Sequence, residues 1–216
     1  YNKSLYVMIL PVLLFYIVFS YVPMYGVIIA FKNFQPGMGI SGSPWVGLQN
    51  FADFFQGPYF TRVLKNTLVI SFSSILFGFP APILLALLLN EVRSAKFKRI
   101  VQTVTYMPHF ISLVVVCGMV LQFTSSTGVI TSVLHTLFGL PEKNLMADPQ
   151  NFVPTYVISG IWQEIGWGTI VYLSAITGIN SELYEAASID GAGRLRRVWH
   201  VTLPGIMPTI KILLIL

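Results

Sequence analysis

Charged side chains are missing from four long stretches of this chain, and those stretches set its predicted elements. Between Lys3 and Lys32 lie 28 uncharged residues, and between Lys65 and Glu91 another 25. Each exceeds the ~20 residues that a helix needs to cross a ~30 Å hydrocarbon layer. The gap from Arg99 to Glu142 holds 42 residues, too many for one span, and it breaks at Thr124-Ser125-Ser126-Thr127-Gly128. That break predicts a span over 100–123 and a shorter apolar remnant, 129–140, lying at the interface or packed against the bundle. From Asp148 to Glu182 only Glu164 intervenes, which predicts a fourth span over 153–178. A fifth segment opens near Pro204 and is still apolar at Leu216. Carbonyls left unpaired in lipid are costly, so the fifth helix is expected to continue beyond this sequence. The reading is an all-α polytopic membrane protein, a single transmembrane domain over 1–216, with spans at about 5–31, 66–90, 100–123, 153–178 and 204–216. The first span is too long, and followed by too many others, to be a cleaved signal peptide. Pro80, Pro82 and Pro108 fall inside the second and third spans, where each removes a backbone hydrogen bond and is expected to kink its helix.

Composition sharpens this picture. Of the 216 residues 55% are hydrophobic and only 10% charged, with a mean hydropathy of +0.73. A soluble domain carries about 25% charged residues. Disorder and nucleic-acid binding are excluded by the same figures, and the lone Cys117 excludes a disulfide scaffold. The net charge of +5 acquires meaning from its placement. With Lys3 inside, the inner segments hold eight basic residues (Lys3, Arg93, Lys96, Lys98, Arg99, Arg194, Arg196, Arg197) and the outer ones four (Lys32, Arg62, Lys65, Lys143). The positive-inside rule therefore predicts a cytoplasmic N-terminus, exterior loops at 32–65 and 124–152, and cytoplasmic loops at 91–99 and 179–203.

Little in the chain suggests catalysis. His109, His135 and His200 lie in separate segments with no second ligand at helical spacing, so no metal site is expected. No phosphate-binding Gly-x-x-x-x-Gly-Lys-Ser/Thr loop occurs, and no nucleophile–base pair stands out. The chain is expected to be neither an enzyme nor the holder of a cofactor. Glu164 is the exception to blandness: an ionisable group near the middle of a span faces the bundle interior or a wet cavity.

The loop 180–204 carries the strongest signal. Asn180 or Ser181 can cap a short helix whose first turns hold Glu182 and Glu185, as its positive end favours. Asp190-Gly191-Ala192-Gly193 breaks that helix, Arg194, Arg196 and Arg197 hold the next piece at the membrane face, and Pro204 opens the fifth span. Ala186 and Ala187 give a flat face, while Leu183, Tyr184 and Ile189 are apolar where water is expected. Such a surface is suited to docking against another protein.

Glu185-Ala186-Ala187, three residues, Gly191, nine residues, Val201, one residue, Leu203-Pro204 resembles the EAA loop of binding-protein-dependent ABC importer permeases. Val201 stands where the family has Ile. Residues 18–51, 78–90 and 100–116 look like the sugar-permease branch that imports oligosaccharides. The resemblance implies a six-helix permease core, of which five helices begin here. It implies a second homologous permease subunit, an extracytoplasmic solute-binding protein and two cytoplasmic ATPase subunits that hold ATP and Mg. It implies coupling to the ATPases through Leu183, Tyr184, Glu185, Ala186, Ala187, Ile189, Asp190 and Gly191. In similar permeases the helix before this loop helps to form the substrate pocket, which marks Gln163, Glu164 and Trp167 as the substrate pathway. An aromatic plate beside two polar acceptors suits a sugar. Gln102, Gln122 and His109 are weaker candidates, and Glu164 can also be read as a structural carboxylate. Two other functions fit the spans alone: an ion- or proton-coupled sugar carrier, and a non-transporting scaffold.

Overall fold

The computed structural model describes residues 3–216, and all its regular elements are helical, as an all-α polytopic chain requires. The chain divides into two compact units, one through Asn66 and the other from Thr67. The first is dominated by α1, Lys3–Phe31, a 29-residue apolar helix without a buried residue. Such a surface requires lipid or another subunit around it. The loop after α1 is tied back to its end. The Phe31 ring stacks on Trp45 at 5.7 Å, and Asn50 donates to the Ala30 and Lys32 carbonyls at 3.0 and 2.9 Å. Lys32 itself donates to the Ile40 carbonyl at 2.7 Å. A short amphipathic helix, α2 (Gln49–Gln56), follows, and its Phe54 and Phe55 meet Phe60 edge to face.

Next along the chain is α3, Phe60–Glu91, a 32-residue helix. The second unit continues with α4 (Ala95–Phe110), α5 (Leu113–Phe123) and α6 (Val129–Phe138). Its last three helices are α7 (Phe152–Thr177), α8 (Ser181–Ile189) and α9 (Arg194–Ile215). Its core joins α3, α7 and α9 through Ile83, Ala86 and Leu89, Tyr172, Leu173 and Ile176, and Ile206. Lipid tails are as apolar as these side chains, so close packing and small residues, more than water exclusion, hold such helices together. Gly166 of α7 shows how close they come. A Cβ there would overlap the Thr105 carbonyl of α4, and only glycine fits.

Length and apolarity suit α1, α3 and α9 to crossing a bilayer, with α4 and α5 together as a fourth candidate. The helix α7 is long enough, at 26 residues or about 39 Å. Its composition is less apolar than theirs, because Gln163, Glu164 and several glycines interrupt it. It is instead the most enclosed of the helices, with Val157, Gly166, Thr169, Tyr172, Leu173 and Ile176 buried. A helix that faces protein can tolerate polar residues that a lipid-facing one cannot.

The prolines act differently from one another. In α1, α3 and α9 the helix continues past Pro23, Pro80 and Pro204. Each is preceded by a widened turn, at Ile17–Tyr21, Ser74–Gly78 and Val198–Thr202. The carbonyl four residues before each proline, which its ring would strike, lies at the centre of that turn. Five-residue pairing, as in Leu203 N–H to the Val198 carbonyl, lets a carbonyl pass over the proline to a later donor. At Pro108 the chain tightens instead over Met107–Phe110, Ile111 and Ser112 are extended, and α5 departs from α4 at 103°. Where the sequence predicts one kinked span over 100–123, the structure has a broken pair.

Candidate functional site

The break after Pro108 faces α7, and a side-chain contact between His109 and Glu164 bridges the two. His109 Nδ1 lies 2.9 Å from Glu164 Oε2. The imidazole lies parallel to the Trp167 indole, with ring centroids 4.4 Å apart and planes 4° apart. Phe110 meets the same indole edge to face at 6.1 Å. One residue earlier on α7, Gln163 donates its amide to the Ile111 carbonyl at 3.3 Å, which satisfies a backbone acceptor freed by the break. One turn further on, the Thr169 hydroxyl bonds the Ile165 carbonyl at 2.6 Å and the Pro82 carbonyl of α3 at 3.2 Å.

Gln163, Glu164 and Trp167 border a cavity of about 860 Å³. Its walls are mostly apolar, from Phe79, Leu113, Val116, Val120, Val171 and Leu213, and the polar side chains include Gln163 and Glu164. Trp167 also lines it and is 47% exposed, and the Glu164 side chain is 57% exposed. The three residues singled out as a substrate pathway thus stand on one wall of one cavity, and His109, a weaker candidate by sequence, stands behind two of them. Its signal was present: a polar residue directly after the proline that ends a helix. A cavity with apolar walls, an aromatic plate and a few convergent polar groups has the composition of a small-molecule site. Among the described residues no three His, Cys, Asp or Glu side chains converge on a metal position.

The second candidate is the loop after α7. Asn180 caps α8, its side chain accepting from the Glu182 N–H at 3.0 Å. The helix ends at Gly191, with φ +74°, a left-handed conformation that favours glycine. The Ala192 N–H bonds the Ala187 carbonyl at 2.9 Å and the Gly191 N–H bonds the Ser188 carbonyl at 3.1 Å, so two carbonyls of the last turn are paired. One side of α8 is tied to the start of α9: Tyr184 Oη lies 3.0 Å from the hydroxyl of the fully buried Thr202, and Arg197 donates to the Ser188 hydroxyl at 3.2 Å. Leu183 and Ile189 are 54% and 87% exposed, and Glu185, Ala186, Asp190 and Gly191 are also exposed. Of the eight residues marked for docking, Tyr184 turns inward and holds the helix, while Ala187 is half-buried.

Residues 78–216 match the family model described as binding-protein-dependent transport system inner membrane component. Over 215 residues the chain is 50% identical to the polygalacturonan/rhamnogalacturonan transport system permease protein YteP of Bacillus subtilis, covering 100% of this chain and 67% of that protein. An arabinooligosaccharides transport system permease protein, AraP, of the same organism is 30% identical over 94% of this chain and 64% of its own length. Among solved structures, a bacterial ABC transporter involved in the import of the acidic polysaccharide alginate superposes with a TM-score of 0.89 at 46% identity, over 99% of this chain and 71% of that one. The alginate transporter in complex with its alginate pentasaccharide-bound periplasmic protein gives 0.88 at 45%, over 99% and 70%.

Proposed function

This chain belongs to the binding-protein-dependent transport system inner membrane components, and we propose from that premise that it is the membrane-spanning permease subunit of an ABC importer for an oligosaccharide. It is a multi-pass protein of the bacterial membrane. An extracytoplasmic solute-binding protein delivers the sugar, as a periplasmic protein accompanies the alginate transporter. The relatives named for polygalacturonan/rhamnogalacturonan and for acidic alginate support an acidic sugar over a neutral one. ATP, with Mg, is hydrolysed on two cytoplasmic ATPase subunits, and a second homologous permease completes the pore. The N-terminus is cytoplasmic, which puts the loop 180–204 on the ATPase side.

The observation that carries this reading is α8. It is rigidly finished at both ends, anchored on one side through Tyr184 and Ser188, and open on the other through Leu183 and Ile189. An anchored helix with an exposed apolar face can carry movement from a partner into the membrane helices, which a free loop cannot. Leu183, Glu185, Ala186, Ile189, Asp190 and Gly191 form the contact, with Ala187 beneath it. The sugar passes along the wall of Gln163, Glu164 and Trp167.

Reconstitution in liposomes with the partner permease, the ATPases and the binding protein tests this. Oligogalacturonate and a neutral arabino-oligosaccharide are the probes, and uptake of the acidic probe is expected only with ATP and binding protein together. Uptake driven by an ion gradient without ATP supports the secondary-carrier reading instead. Assembly without uptake of either probe supports the scaffold.

A further inference from the structure

We propose that His109 is a positioning residue of the sugar path, which fixes Glu164 by a hydrogen bond and covers one face of Trp167, so that a sugar hydroxyl meets one carboxylate oxygen and the sugar ring meets one indole face. The proposal rests on the reading of the cavity as the sugar path. His109 Nδ1 lies at hydrogen-bond distance, 2.9 Å, from Glu164 Oε2, and with the proton on Nδ1 the imidazole donates to the carboxylate. Among the described residues Glu164 has no other hydrogen-bond partner, and without this one its three-torsion side chain would sweep the cavity. Trp167 is constrained by the same ring: with the imidazole parallel at 4.4 Å on one side, a pyranose can stack only on the other. One side chain therefore sets the angle between an acceptor and an aromatic plate, the two elements a sugar reads.

A purely structural role for the pair is disfavoured by its surroundings. The crossing of α4 and α7 is already pinned by Gly166 against Thr105 and by the Gln163 bond to Ile111. The pair itself is open towards the cavity, with side chains 28% and 57% exposed, and is not packed into the helix crossing. His109 is in turn held by the chain itself, at the end of the tight turn that Pro108 starts.

The test uses the complete transporter in proteoliposomes with its binding protein, supplied with whichever of the two probes the unaltered protein takes up. Turnover is measured per assembled complex, together with KM. Because the binding protein sets capture, His109→Ala is expected to lower turnover about tenfold with KM unchanged, the size of a lost hydrogen bond. His109→Gln keeps a donor and should recover turnover to within about threefold of the unaltered protein. His109→Phe keeps the ring on Trp167, guards against a packing failure and should fall like alanine. In a Glu164→Gln background, His109→Phe should add little, since the two act as one unit. Full turnover in His109→Phe, or additive losses in the double variant, overturns the proposal. So does failure of both His109→Ala and His109→Phe to assemble, which would make His109 a staple. If Glu164→Gln and Trp167→Ala leave turnover unchanged, the cavity reading itself fails. If they lower it and the His109 variants do not, only the positioning role fails.

Discussion

Two glycines show how single residues decide what their helices can do. Gly191 ends α8 at φ +74° with nothing close to the position of a Cβ, so its constraint is the backbone torsion and not space. A residue with a side chain pays roughly 1–2 kcal/mol there. Gly191→Leu is therefore expected to reach the membrane in normal amount, yet to lose most ATP-driven uptake as the end of α8 rearranges. Normal uptake by this variant would remove α8 from the coupling path. Gly166 is constrained in the opposite way, by space alone. Gly166→Val places atoms where the Thr105 carbonyl lies, and overpacking of that kind costs about 2–3 kcal/mol. Less assembled complex and a lower melting temperature in detergent are the expected readouts. The partners of such residues are hard to see in a sequence. His109 and Glu164 are 55 positions apart, and no local pattern joins them. The face shared by Glu164 and Trp167 was legible from helical spacing, and what stood on its far side was not.

At the scale of elements, the helical class was legible because it follows from composition: uncharged gaps longer than about 20 residues fit helices that cross a bilayer. What each proline does was not legible, because it depends on which neighbour receives the freed carbonyls. Pro80 is absorbed by a widened turn, while the turn after Pro108 is secured by Gln163 from another helix. The inward role of Tyr184 escaped for the same reason, since an apolar ring on a short helix can point either way until its partner is known. That partner gives a test at this scale. Tyr184→Phe removes the bond to Thr202 and leaves a fully buried hydroxyl without its partner among the described residues, a loss of about 1 kcal/mol. The tether between α8 and α9 should loosen, with uptake reduced several-fold at unchanged ATPase binding. Thr202→Val, which removes the orphaned hydroxyl, should restore stability in the Tyr184→Phe background without restoring coupling.

For the whole molecule the question is orientation, which the eight-to-four distribution of basic residues addresses. Cysteines placed at Ser41 and Gln150 should react with an impermeant thiol reagent added from outside, and those at Ser94 and Ser188 should not, in a Cys117→Ser background. The opposite pattern would invert the chain and remove α8 from the ATPase side. The composition of α7 has a separate consequence, for biogenesis. An acidic residue near the centre of a span opposes insertion by about 3 kcal/mol, and α7 lacks the apolar excess of α1 or α3 to offset it. The helix α7 should therefore enter the bilayer poorly by itself and depend on earlier helices waiting beside the insertion machinery. A reporter fused after Thr177 is expected to switch compartments when residues 60–123 are deleted together with their loops, and Glu164→Leu should relieve that dependence.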